Sequence, residues 1–195
     1  MGKPSVVHQI SDVTKEKEKL RRFEREAAQD FLTGTYNRRY CRKKMQEMLS
    51  GGIPFLCCFM DMDGLKQVND TWGHPVGDQV IKTVVNIIGK SIRPDDLLAR
   101  VGGEEFGVLL TDIDTERAKA LAERIRENVE RLTGDNPEYA IPQKVTISIG
   151  AVVTQENALN PNEIYRLADN ALYEAKETGR NKVVVRDVVN FCESP

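Results

Sequence analysis

The sequence predicts an α+β fold: a ferredoxin-like, antiparallel-containing central sheet flanked by helices, with a helical extension at the N-terminus. Two observations predict it. After Asp30 the apolar residues alternate between short strand-like runs and stripes at helical spacing. These segments follow one another as β-α-β-β-α-β with one more helix and strand behind, an order that mixes hairpins with crossovers and builds such a sheet. With 195 residues, 40% hydrophobic and 30% charged, the chain has the balance of a soluble globular protein and room for one domain plus an appendage.

Residues 10–29, "ISDVTKEKEKLRRFEREAAQ", are charge-dense and free of Pro and Gly. Ile10, Val13, Leu20 and Ala27 fall at a and d positions, with Lys17 and Glu24 breaking the seam. The segment reads as a helix, either packed on its own domain or serving as a short coiled-coil stalk between two copies. "YNRRYCRKKMQEML" is a helix and "IPFLCCFMD" a buried strand. "PVGDQVIKTVVNIIGKSI" is a helix with Val76, Val80, Val84 and Ile87 on one face. "DLLARV" and "EFGVLLTD" are strands joined through Gly102 and Gly103, where positive φ is expected. "TERAKALAERIRENVERL" is amphipathic, and "KVTISIGAVV" alternates as a strand. The next helix has Asn160 as cap, Pro161 in its first turn and Gly179 at its end, and "NKVVVR" closes as a strand.

The net charge of −2 excludes a general nucleic-acid-binding face, so a phosphate-bearing partner needs a local site. Cys41, Cys57, Cys58 and Cys192 lack paired spacing and neighbouring histidines, and are expected to be reduced thiols of a cytoplasmic protein. The apolar run at residues 53–60 is too short to cross a bilayer and the N-terminus has no signal core, so no direct membrane contact is expected.

In a ferredoxin-like sheet the first strand lies against the third. Asp61 and Asp63 should therefore meet Glu104 and Glu105. Four such acids repel one another unless a cation neutralises them, and oxygen-only ligands point to Mg²⁺ or Mn²⁺. Asp63 has a second reading as a turn residue. Downstream, "DGLKQVNDTWGHPVGDQV" offers Lys66 for phosphate together with Asn69, His74 and Asp78. An amide and a carboxylate together match a guanine edge, since the carboxylate can accept from N1 and the 2-amino group. Lys176 and Arg180, four residues apart, are either phosphate ligands or cations suited to a helix C-terminus.

"DFLTGTYNRR", "DMDGLKQVNDTWGHPVGD", "GGEEF", "VTISIG" and "ADNALYEAKETGRNKV", in that order, make the chain from Asp30 onward resemble the GGDEF family of diguanylate cyclases. The resemblance implies a fold like that of class III nucleotidyl cyclases and polymerase palms, and the joining of two GTP into cyclic di-GMP with loss of two pyrophosphates. It implies that Asp61, the Met62 carbonyl, Glu104 and Glu105 hold two Mg²⁺ (or Mn²⁺) per half-site, with one Glu assisting deprotonation of the 3′-hydroxyl. Asn69 and Asp78 then read guanine and His74 lies near the ribose. Gly103 admits the nucleotide, while Lys66, Lys176, Arg180 and the amides of Gly64 and Leu65 hold phosphates. Leu65, where the family often has Phe, and Thr35, in place of a common Leu, depart from the pattern away from the metal and base positions.

One domain holds one GTP, so activity implies a homodimer, and a stalk over residues 1–29 would set how two domains, residues 30–190, meet. Residues 191–195 read as a tail. A longer sensor protein is the expected setting for such a stalk. By the same resemblance, Arg93 and Asp96 of "RPDD" form an inhibitory site for cyclic di-GMP; their other reading is a polar loop. The rival functions are a weakly catalytic sensor of GTP or cyclic di-GMP, and a different nucleotidyltransferase of the same fold.

Overall fold

The run "FLCCFMDMD" becomes the central strand of the sheet because helices cover it on both sides, which is why it is continuously apolar instead of alternating. The computed structural model describes residues 19, 23, 26–134, 143–154 and 160–188. Its elements are β1 (Tyr36–Asn37), α1 (Arg38–Ser50), β2 (Phe55–Asp63), α2 (Leu65–Trp72), α3 (His74–Ser91), β3 (Leu97–Arg100), β4 (Glu105–Thr111), α4 (Thr115–Gly134), β5 (Thr146–Val153), α5 (Pro161–Glu177) and β6 (Val183–Asp187). The strands are ordered β1-β3-β4-β2-β5-β6. β2 runs antiparallel to both β4 and β5, β3 antiparallel to β4, and β6 parallel to β5. The ferredoxin-like arrangement of β2, β3, β4 and β5 is thus as the sequence predicts.

Alternation along β2 divides the core. Leu56, Cys58, Met60 and Met62 pack with Val68 of α2, Val84 of α3 and Ile125 of α4. Cys57 and Phe59 pack on the other face with Met45 of α1 and Leu172 of α5. Gly150 lets α5 lie directly on β5, since a Cβ there would be 2.7 Å from Leu172 Cα and would overlap the backbone of Ala168 and Leu172. α5 begins with a capping box. Asn160 Oδ1 accepts from the Asn162 and Glu163 amides, and Glu163 accepts from the Asn160 amide at 3.0 Å.

Several expected boundaries shift. Asn37 is the N-cap of α1, accepting from the Tyr40 amide at 3.0 Å, so Tyr36 pairs in the sheet instead of opening the helix. Apolar spacing does not register α2, a separate helix that Gly64 (φ 85°) and Gly73 (φ 82°) mark off on either side. Gly102 and Gly103 are absent from the positive-φ glycines, contrary to expectation. Gly102 serves by having no side chain, because a Cβ would be 3.0 Å from Glu105 Cδ and overlap its carboxylate. Most of the expected stalk, including Ile10, Val13 and Leu20, and the tail with Cys192 lie outside the described residues. No helix among the described residues is long and apolar enough to cross a membrane.

Candidate nucleotide and metal site

Sheet register brings the acids together. Asp61 on β2 is the Cα partner of Glu105 on β4, and the Met62 amide donates to the Glu104 carbonyl at 3.1 Å. The hairpin closes where the Val101 amide donates to the Glu105 carbonyl at 2.9 Å. Asp61 is only 5% exposed, and burial pushes its carboxyl above the usual value despite Lys176. Glu104 is raised as well, first by burial and then by the charge of Asp61. Lys176, in the last turn of α5, places Nζ 2.7 Å from Asp61 Oδ2. The lysine expected to hold phosphate therefore stands on Asp61, a carboxylate expected to bind metal.

Asp63 is not a free member of the cluster. Thr146 Oγ1 and Ser148 Oγ each donate to it at 2.8 Å, and the Asn181 amide donates at 3.1 Å. Its charge still reaches the cluster, raising the carboxyls of Asp61 and Glu104 behind larger causes, but its hydrogen-bond donors lie on β5 and on the turn after α5. That turn carries Arg180, held at φ 60° with its amide donating to the Ala175 carbonyl at 3.0 Å. Asp63 thus ties down, through the Asn181 amide, the turn that carries Arg180.

Among the described residues no three His, Cys, Asp or Glu side chains form a ready metal cage. The donors nonetheless fit a hard divalent cation. Asp61 is buried beside two more carboxylates, a lysine ammonium stands in as their cation, and magnesium commonly takes one or two carboxylates and completes its shell with water and substrate oxygens.

Gly64 is the N-cap of α2, which follows directly on β2, with exposed Lys66 in its first turn and buried Leu65 anchoring that turn. Asn69 lies on α2, and His74 and Asp78 on α3, both exposed. Sequence reasoning missed Gly77. A Cβ on it would be 2.9 Å from Asn69 Cγ and would overlap Oδ1, so the amide rests on the bare backbone of α3 beside Asp78. Gly103 is exposed with open space where a Cβ would go, and its carbonyl accepts from Arg100 Nη2 at 2.7 Å. Arg100 also reaches Asp30 at 3.2 Å, linking the segment before β1 to the hairpin. Burial pushes the Asp30 carboxyl upward, but hydrogen bonds from Thr33 and Arg100 outweigh it and hold the carboxyl below its usual value.

Arg93 and Asp96 share a turn in which the Arg93 amide donates to Asp96 Oδ2 at 2.7 Å. They line a cleft of about 490 Å³ with Arg117, Arg124 and Asn128 of α4. Neither arginine of α4 is apparent from a local motif, although their seven-residue spacing on an amphipathic helix is the signal that places both on one side.

The family model described as diguanylate cyclase, GGDEF domain, matches residues 27–182. The chain is 82% identical over 171 residues to the probable diguanylate cyclase DgcT of Escherichia coli K12, covering 87% of this chain and 38% of that protein. It spans less than half the length of that relative. The solved coiled coil and GGDEF domain of DgcB from Caulobacter crescentus, in complex with c-di-GMP, superposes with a TM-score of 0.77 at 29% identity, covering 94% of this chain and all of that one. The active GGEEF domain of a diguanylate cyclase from Vibrio cholerae superposes with a TM-score of 0.68 at 29% identity, covering 76% of this chain and 96% of that one. The acid hairpin, the sheet that presents it and these likenesses agree: the chain belongs to the GGDEF family of diguanylate cyclases.

Proposed function

We propose that two copies of this domain, facing each other, condense two GTP into cyclic di-GMP and two pyrophosphates. The observation that carries this is the juxtaposition of Asp61, Glu104 and Glu105 under one lysine ammonium at the strand end. Asp61, the Met62 carbonyl, Glu104 and Glu105 would hold two Mg²⁺ (or Mn²⁺) per half-site. When bound, the metals neutralise the triphosphate and make the 3′-hydroxyl more acidic. Asn69 and Asp78 orient guanine, with His74 near the ribose. Lys66, Arg180, the Gly64 and Leu65 amides and Lys176, once drawn from Asp61 to the anion, hold the phosphates. Gly103 leaves room for the nucleotide.

In each of two equivalent steps a hairpin glutamate accepts the 3′-hydroxyl proton, a 3′-oxygen–phosphorus bond forms, and the bond from the α-phosphorus to the departing pyrophosphate breaks. The homodimer is required because each copy contributes one nucleotide. Residues 1–29 would act as the stalk that pairs domains spanning residues 30–190, residues 191–195 forming a tail, within a longer cytoplasmic sensor protein. The Arg93–Asp96 cleft, rimmed by Arg117 and Arg124, would bind the product and slow the reaction.

The test is incubation of the chain with GTP and Mg²⁺ at several protein concentrations, with products identified by mass. Cyclic di-GMP should form faster than linearly with protein, and Glu105→Gln should abolish it. GTP left intact after bound product has been stripped away would sink the cyclase reading in favour of a nucleotide sensor.

A further inference from the structure

A second cleft, of about 360 Å³, opens between α1 and α5 on the sheet face opposite α2 and α3, and Glu105 lines its end. Its floor is apolar and aromatic: Phe59 and Tyr165 pack at 4.8 Å between ring centroids, with Leu172 beside them. Its rim carries Arg38 on α1, and Arg166 and Asp169 on α5. Both arginines are exposed, and no hydrogen bond or ion pair joins either to a described residue. Two exposed guanidinium groups with no ion-pair partner among the described residues, over an aromatic floor and beside a catalytic carboxylate, make a site for an anionic, planar ligand.

The domain's own nucleotide does not account for them. Its guanine readers, Asn69 and Asp78, stand on α2 and α3, on the other side of the sheet. Its phosphate ligands are Lys66, Lys176 and Arg180. The reaction, however, delivers a second triphosphate to the same Glu105 from the facing copy, and that nucleotide has to arrive from the side left open. Leu172 on the floor lies one helical turn before Lys176, so cleft and acid cluster share one face of α5 and form a continuous surface.

Resting on the cyclase reading, we propose that Arg38 and Arg166 act in trans: they grip the α-phosphate region of the GTP held by the facing copy, with Asp169 accepting from its ribose or base. As the 3′-oxygen–phosphorus bond forms and the bond to pyrophosphate breaks, the guanidinium groups offset charge on the phosphoryl oxygens and the leaving group, transferring no proton. Each copy then completes the other's half-site, and bound nucleotide itself holds the dimer together.

The test uses 3′-deoxy-GTP, which binds but cannot attack, with Mg²⁺. Nucleotide affinity is measured at dilution, where the chain sediments as a monomer, and nucleotide-driven dimerisation at higher concentration. Arg38→Ala and Arg166→Ala should leave monomer affinity within twofold of wild type, weaken dimerisation at least tenfold, and lower turnover at saturating GTP about a hundredfold or more. Arg38→Lys should recover dimerisation in part, because charge returns without the guanidinium fork. Weakened monomer affinity would assign the arginines to the domain's own substrate and overturn the proposal. Dimerisation and turnover like those of wild type would also overturn it. A wild-type chain that makes no cyclic di-GMP counts against the cyclase reading alone, because dimerisation by 3′-deoxy-GTP still decides the role of the cleft.

Discussion

Gly77→Ala should separate stability from function. Gly77 is buried in the first turns of α3, where alanine is a better helix residue than glycine by about 0.5–1 kcal/mol. The added methyl would meet Asn69 Cγ at 2.9 Å and overlap Oδ1, against ordinary contact from 3.4 Å outward, so the amide oxygen must swing aside by roughly 1.5 Å. The group in the way is the end of a side chain, which can rotate, so the fold yields cheaply. On the proposed reading, Asn69 is then turned away from guanine. One lost hydrogen bond that leaves its buried partner unpaired is worth about 1–3 kcal/mol, or about 5- to 150-fold in affinity. Calorimetric melting should show a Tm equal to or above that of wild type, while titration with 3′-deoxy-GTP shows the loss and a reduced preference over the adenine analogue. Unchanged affinity would remove Asn69 from guanine recognition; a loss of affinity accompanied by a large fall in Tm would mean that general packing, not aim, had failed.

Gly150→Ala should behave in the opposite way, because its methyl meets the backbone of α5 and nothing can rotate; a loss of about 3 kcal/mol in urea denaturation is expected. Asp61 and Glu104 have folded-state pKa values raised above their ordinary values of 3.8 and 4.5. Their protonated forms therefore favour folding below those values, and this contribution is lost as pH rises through the raised ones. Without metal, the Tm of wild type relative to Asp61→Asn should fall as pH is raised from the acid range to neutrality, and Mg²⁺ should raise only the wild-type Tm; parallel pH profiles would contradict this. Arg93→Ala and Arg124→Ala should each weaken cyclic di-GMP binding by about 10- to 100-fold with little change in KM for GTP, and unaltered product inhibition would remove that cleft from regulation.

Much of the site was legible because register is a local consequence of alternation. Once "FLCCFMD" and "EFGVLL" are strands of a ferredoxin-like sheet, Asp61 has to face Glu105, as it does. Asn160 and Pro161 announce α5 by local capping chemistry. Asp63 could not be judged in the same way, because its hydrogen-bonding partners, Thr146, Ser148 and Asn181, come from distant segments. Gly77 was illegible for a related reason: what it spares is a side chain on a different helix.

From its residues alone the chain determined most element types, though not β1 or α2, together with the central strand order and the family, since periodicity, turn chemistry and motif order are carried by neighbours in sequence. Tertiary structure alone decided which charged groups are engaged. It set Lys176 on Asp61, closed Arg124 around the Arg93 cleft, and left Arg38 and Arg166 facing an open one. Such pairings depend on how helices pack across a sheet, and side chains brought together from remote segments leave no pattern in the sequence between them.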